Sequence, residues 1–210
     1  MTETFDGVKG NDGSARRARP HVLVVDDEAD VREMYADQLA AEYAVSTAAS
    51  GPEALDVLDD SVDVVLLDRR MPGFHGDDTL DRIRASSADV RVAAVTGVGA
   101  GLDLLGLPVD AYLEKPVGLD DLRDAVDRLV RVARYDDRVR EYFAVLEKRA
   151  ALEGASVDPT DGEYGELDRR REALRSGFDD LHARLAPEDY ELLFHDLDNP
   201  GYESPADLYA

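Results

Sequence analysis

Short apolar runs alternate with longer amphipathic segments between residues 20 and 132 of this chain. The apolar runs are rich in β-branched residues, which is typical of strands buried on both faces of a parallel sheet; they occupy residues 21–25, 43–48, 62–67, 90–95 and 109–113. The segments between them have apolar positions three and four residues apart, as amphipathic helices do. Only residues 97–106, which are few and rich in glycine, give a weak helical pattern. This alternation predicts right-handed βαβ crossovers and a doubly wound (βα)5 parallel sheet of the α/β class, with strand order 2-1-3-4-5.

The helical period continues past the last strand. From residue 119 the apolar positions keep a spacing of three and four, as a coiled-coil seam requires; they are Leu122, Val126, Leu129, Val132, Tyr135, Val139, Tyr142 and Leu146. Glycine and proline between residues 154 and 162 end this helix, and a capping pattern opens a second one. The two helices predict a helical hairpin or, alternatively, a coiled-coil dimer.

These patterns divide the chain into four parts. Residues 1–19 lack apolar periodicity and are expected to be a flexible N-terminal segment, residues 20–132 form the α/β domain, and residues 133–186 form the helical domain. Residues 187–210 hold seven acids and no lysine or arginine, so we assign them to an acidic tail whose end is expected to fray. The apolar residues of this tail could pack on the helical hairpin; they are Tyr190, Leu192, Leu193, Phe194 and Leu197.

The charge is strongly negative, with 47 acidic and 24 basic residues and a net charge of −23. Such a surface repels itself at low ionic strength, so the composition predicts a halophilic cytosol. The same charge disfavours broad nucleic-acid affinity, which needs local Lys and Arg. The arginines at 169–171 are flanked by acids, which favours a salt-bridged helix face over a DNA contact.

The chain has no cysteine, which excludes disulfides and thiolate chemistry. The apolar runs are too short for a membrane span or a signal segment, so we expect a cytoplasmic protein without membrane contact.

Polar side chains follow the predicted strands at their carboxyl ends, where doubly wound folds place function. The set comprises Asp26 and Asp27 after strand one, Asp68 after strand three, Thr96 after strand four, and Glu114 and Lys115 after strand five. Carboxylates crowded together repel each other unless a cation neutralises them. Hard oxygen ligands suit Mg²⁺, and an aspartate carboxylate can attack phosphorus to form an aspartyl phosphate. Asp68, at the end of the central strand, is the best-placed nucleophile.

The chain resembles the receiver domain of two-component response regulators, which have a flavodoxin-like fold. The matching motifs are Val24-Val25-Asp26-Asp27-Glu28, Leu66-Leu67-Asp68-Arg69-Arg70-Met71-Pro72-Gly73 with Gly76, Val95-Thr96-Gly97 and Tyr112-Leu113-Glu114-Lys115-Pro116. The resemblance implies that Asp68 is the phosphoacceptor, that Asp27, Asp68 and the backbone carbonyl of Arg70 ligate Mg²⁺, and that Asp26 acts through water. It further implies that Thr96 and Lys115 contact the phosphoryl group, that Thr96 and Tyr112 form a switch pair, and that the Lys115-Pro116 peptide bond is cis.

The segment after Pro116 resembles a second family, the HalX domain found beside haloarchaeal receivers. The likeness is carried by Arg134-Tyr135, Glu141-Tyr142-Phe143 and the run from Leu146 to Glu153, and it extends to about Leu185. This resemblance agrees with the salt-adapted composition.

The leading hypothesis is therefore a response regulator that accepts a phosphoryl group from a histidine kinase on Asp68 and switches output through its C-terminal helices. We expect a phosphotransfer acceptor and not an enzyme with turnover. The output is transcriptional regulation or, alternatively, protein interaction or homodimerisation through the helices; DNA is an open partner that the charge does not indicate. A Mg²⁺-dependent phosphatase is disfavoured, because such enzymes of the haloacid-dehalogenase type have Asp-x-Asp after strand one and this chain has Asp26-Asp27-Glu28.

Overall fold

The computed structural model describes residues 19–72, 76–86, 88–97, 107–154 and 162–195. Its strands are β1 (His21–Val25), β2 (Ala44–Ala48), β3 (Val64–Asp68), β4 (Arg91–Thr96) and β5 (Ala111–Glu114). Its helices are α1 (Ala29–Leu39), α2 (Gly51–Val57), α3 (Gly76–Ala85), α4 (Leu119–Gly154), α5 (Gly162–His182) and α6 (Pro187–His195). The N-terminal segment up to residue 18, the weak helical pattern between residues 98 and 106, and the end of the tail from residue 196 lie outside the described residues.

The five strands form one parallel sheet in the order β2-β1-β3-β4-β5, which confirms the predicted fold class. The first predicted strand coincides with β1, and the other four begin one or two residues too early, because apolar residues such as Tyr43 and Val62 are buried just before the pairing starts. The register places Asp68 beside Val95, and Thr96 beside Glu114. The polar residues at the carboxyl ends of the strands therefore share one edge of the sheet.

Each central strand supplies side chains to two separate cores, because successive residues of a strand point to opposite faces. On β1, Leu23 and Val25 pack with residues of α2 and α3, whereas Val22 and Val24 pack with residues of α1 and α4. This double burial explains why the strand sequences are continuously apolar and do not alternate. Each fully buried leucine contributes about 1.5–3 kcal/mol to folding.

Helix α4 is a single helix of 36 residues that runs across the predicted boundary at residues 132 and 133. Helix α5 returns along it in the opposite direction, since the Phe178 ring lies 5.9 Å from Tyr135 and 5.7 Å from Tyr142, and Arg149 pairs with Asp168. The intramolecular hairpin is thus present. In the described part of the chain, no helix is both long and apolar enough to cross a membrane.

Residues 187–195, which we assigned to the tail because of their acidic composition, instead form α6. Asp189 is fully buried, and its carboxylate lies 3.1 Å from Arg131 and 3.4 Å from Arg128 on α4 and accepts a 2.9 Å hydrogen bond from the backbone N–H of Ala186. Leu192 packs against the core between α1 and α4. An acidic segment folds here because arginines on α4 neutralise its buried charge.

Candidate functional site

Two buried aspartates mark the carboxyl ends of the adjacent strands β1 and β3. Asp26 is 1% exposed and Asp68 is 4% exposed, while Asp27 is more exposed. Each of the three offers a carboxylate oxygen, and these oxygens all lie within 4.8 Å of one another. The parallel register thus brings together carboxylates that are about 40 residues apart in sequence.

Lys115 connects the two buried carboxylates. Its Nζ donates to Asp26 Oδ2 at 2.7 Å and to Asp68 Oδ2 at 2.8 Å, and it lies 4.0 Å from Glu28 Oε1. Burial by itself lowers the pKa of the Lys115 ammonium, but its hydrogen bonds and its attraction to Asp26 and Asp68 raise that pKa above the ordinary value. The ammonium is therefore charged at neutral pH. Its backbone is held by a 2.7 Å bond from Lys115 N–H to the Thr96 carbonyl, and the Lys115-Pro116 peptide bond is cis.

Backbone N–H groups hold the other oxygen of each buried carboxylate. Asp26 Oδ1 accepts from the N–H of Glu28 at 2.9 Å, and Asp68 Oδ1 accepts from the N–H of Arg70 at 2.9 Å. Because each carboxylate is bonded at both oxygens, its orientation is set before any ligand binds.

The donor set fits Mg²⁺. The three carboxylates exceed the single ammonium by two negative charges, so a divalent cation balances them. All three offer hard oxygen atoms, the ligand type that Mg²⁺ prefers, and these oxygens lie within 4.8 Å of one another. Asp26, Asp27 and Asp68 are therefore the side chains that would hold it.

The two predicted switch residues differ in their exposure to solvent. Thr96 is buried at the end of β4, one position beyond the partner of Asp68. Tyr112, on β5, is 42% exposed, and its hydroxyl makes a long 3.4 Å contact with the carbonyl of Leu107. Burial raises the pKa of Tyr112, while nearby Arg69 lowers it. The structure thus places Tyr112 outside the carboxylate cluster.

Sequence reasoning gave no role to two arginines that support the site. Arg32 on α1 donates to the carbonyl of Asp26 at 2.6 Å, and Arg69 pairs with Asp77 at the start of α3. The only sequence signal for Arg32 is its position on the first turns of the helix that follows Asp26. Arg69 belongs to the receiver motif that contains Asp68, but nothing in that motif indicated Asp77 as its partner.

Comparison with known proteins identifies two families along the chain. The model of the response regulator receiver domain matches residues 22–127, half of the chain, and the model of the HalX domain matches residues 131–194, beyond the predicted end near Leu185. A protein of Haloferax volcanii named "Putative transcriptional regulator" is 46% identical over 144 residues, which cover 68% of this chain but 25% of that protein. The "Response regulator MprA" of Mycolicibacterium vanbaalenii is 32% identical over 173 residues, covering 79% of this chain and 71% of the relative.

The solved structures agree on the fold. Chemotaxis protein CheY4 of Vibrio cholerae matches with a TM-score of 0.51 and 28% identity over 53% of this chain and 99% of its own. The chain spans only a quarter of the length of its Haloferax relative. This chain belongs to the response regulator receiver family, and a HalX domain follows its receiver domain.

Proposed function

We propose that this protein is a phosphorylation switch in which a histidine kinase donates a phosphoryl group to Asp68. The observation that carries the proposal is the bridging of Asp26 and Asp68 by the Lys115 ammonium, at 2.7 and 2.8 Å, on the carboxyl edge of the sheet. A carboxylate oxygen of Asp68 attacks the phosphorus, the bond from phosphorus to the donor nitrogen breaks, and the nitrogen keeps the electron pair. Lys115 already lies beside Asp68, where it can neutralise the phosphoryl oxygens.

Asp26, Asp27, Asp68 and the carbonyl of Arg70 would hold Mg²⁺. Bound there, Mg²⁺ would supply positive charge that offsets the negative charge of the transferring phosphoryl group. The residues themselves supply orientation, because backbone N–H groups and Lys115 fix both buried carboxylates. The protein is a stoichiometric acceptor in this scheme and not an enzyme with turnover.

Thr96 and Tyr112 are proposed to report the phosphorylation. Thr96 is buried at the same edge of the sheet and would donate its hydroxyl to a phosphoryl oxygen. Tyr112 lies on β5 with 42% of its surface exposed, and its ring would turn inward when Thr96 engages the phosphoryl group. The change would reach the output helices through β4 and β5, which flank α4.

The test is incubation of the full chain with Mg²⁺ and acetyl phosphate, or with a cognate histidine kinase. We expect an acid-stable, hydroxylamine-labile phosphate that mass spectrometry locates at Asp68. Stable labelling of another residue, or no labelling by either donor, would refute the assignment. Steady hydrolysis of small phosphate esters faster than about once per second would favour a phosphatase instead.

Regulation of transcription is the proposed output, supported by the name of the Haloferax relative, "Putative transcriptional regulator". Protein interaction through the helices is the alternative, and one observation favours it. The arginines that DNA would need already contact acids, since Arg169 pairs with Glu166, Arg170 with Glu141, and Arg171 with Asp168.

Crosslinking in cells separates these outputs. A tagged chain with Asp68 is expected to recover discrete DNA loci, and the Asp68→Asn chain is expected to lose them, because the unphosphorylated helices keep their resting arrangement. The measurement is sequencing of the recovered DNA from both strains. Equal absence of enrichment in both would assign the output to protein partners of the α4–α5 hairpin.

A further inference from the structure

The residue that follows the phosphoacceptor forms a two-pronged ion pair. Arg69 Nε donates to Asp77 Oδ1 at 2.9 Å, and Arg69 Nη2 donates to Asp77 Oδ2 at 3.0 Å. The Arg69 side chain is 15% exposed and that of Asp77 is 47% exposed. A guanidinium fork on a carboxylate fixes direction as well as distance, which a single contact does not.

A backbone hydrogen bond joins the same two segments of the chain. The N–H of Gly76 donates to the carbonyl of Arg69 at 3.2 Å. A Cβ atom on Gly76 would lie 2.4 Å from the carbonyl oxygen of Asp68 and 2.6 Å from Arg69 Cα, so only glycine fits there. The first turn of α3 is thus packed directly on the peptide that follows the phosphoacceptor.

We propose that the Arg69–Asp77 ion pair is a positioning clamp for the Mg²⁺ site. The clamp anchors the residue between Asp68 and Arg70. Arg70 has two roles at the site: its N–H donates to the Asp68 carboxylate at 2.9 Å, and its carbonyl is a proposed metal ligand. The pair also engages a guanidinium that would otherwise compete with the cation for the neighbouring carboxylates. The inference rests on the proposed function, and it assigns the pair a positioning role and no contact with the phosphoryl group.

Simple electrostatics and the clamp predict opposite signs for one substitution. Arg69→Gln removes a positive charge near a cation site, which by Coulomb attraction alone raises Mg²⁺ affinity. If the clamp orients the site, the same change lowers Mg²⁺ affinity. Arg69→Lys sharpens the contrast, since lysine keeps the charge but cannot form the fork.

The experiment is calorimetric titration of the full chain with Mg²⁺ at constant salt, with circular dichroism to verify the fold. We expect Arg69→Gln, Arg69→Lys and Asp77→Asn each to weaken Mg²⁺ binding about threefold to tenfold, as loss of a partly exposed supporting contact does. The Arg69→Gln/Asp77→Asn double variant should lose no more Mg²⁺ affinity than the single variant that binds Mg²⁺ less tightly, because the two residues act as one unit. Asp78→Asn is the matched control: it removes the same charge from the same turn of α3 at an exposed position, and it should change affinity less than twofold.

Labelling by acetyl phosphate gives a second measurement. The clamp variants should need more Mg²⁺ for half-maximal labelling of Asp68, yet reach the wild-type rate when Mg²⁺ saturates. Asp77→Glu, which keeps the ion pair, should recover at least part of the lost affinity. Wild-type affinity in Arg69→Lys, or tighter binding in Arg69→Gln, would overturn the clamp while the wild-type chain still binds Mg²⁺ and is labelled. A wild-type chain that binds no Mg²⁺ would instead overturn the proposed metal site itself.

Discussion

Asp68→Asn is expected to abolish phosphoryl labelling, with a loss of at least about a hundredfold, because an amide is not a nucleophile toward phosphorus. Asparagine has nearly the same shape, and Lys115 keeps its 2.7 Å bond to Asp26, so the substitution should leave the fold in place. The effect is then chemical and not structural. Acid-stable label after treatment with Mg²⁺ and acetyl phosphate, together with circular dichroism of each chain, measures both parts.

Asp78→Asn is the control for this prediction, since Asp78 is an exposed acid at the start of the neighbouring helix α3. It should be labelled as the wild-type chain is. Labelling of Asp68→Asn at the wild-type level would reject Asp68 as the acceptor. Transfer of the label to Asp26 or Asp27 would keep an aspartyl phosphate but move its position.

The sheet and the carboxylate cluster were accessible to sequence reasoning for a physical reason. Strands buried on both faces leave continuous apolar runs, and each run ends where the chain reaches the polar edge of the sheet. Asp26, Asp68 and Lys115 each stand at such an end. A parallel sheet brings these ends to one edge, where Lys115 Nζ lies 2.7 Å from Asp26 and 2.8 Å from Asp68.

The supporting contacts were not accessible in the same way. The Arg69–Asp77 pair depends on how α3 is rotated about its axis, and the bond from Arg32 to the Asp26 carbonyl depends on the side-chain conformation of Arg32. Helix α6 was assigned to the acidic tail because its acids indicate a solvated segment, although its apolar residues, Leu192 among them, indicated packing. Its partners Arg128 and Arg131 lie about 60 residues earlier, and their contact with Asp189 has no local sequence signature.

A second buried charge cluster joins the receiver to its long helix. Asp110, just before β5, accepts hydrogen bonds from the N–H of Val92 at 2.7 Å, from Arg84 at 2.6 Å and from Arg91 at 2.7 Å. Arg91 also bonds Asp136, which lies on α4 beyond the predicted domain boundary. The side chains of Asp110 and Arg91 are 7% and 9% exposed. The cluster therefore connects α3, β4 and the start of β5 to the helix that leads into the HalX domain.

Asp110→Asn is expected to lower the free energy of unfolding by about 3 kcal/mol near pH 7, because it removes one partner of a buried ion pair. Burial raises the pKa of Asp110, but Arg84 and Arg91 lower it below the ordinary value on balance. A carboxylate with a lowered pKa in the folded state stabilises the protein above its unfolded pKa of about 3.9, and that stabilisation is lost as the pH falls through the folded pKa. The difference in free energy of unfolding between wild type and variant, measured by urea unfolding at constant KCl, should be constant from about pH 5 to 7 and shrink below about pH 4.

Asp89→Asn is the control, since the pair that Asp89 forms with Arg140 is half-exposed on both sides, and its loss should lower the free energy of unfolding by less than about 0.5 kcal/mol. Equal costs for the two substitutions would show that the buried cluster contributes no more than a surface ion pair.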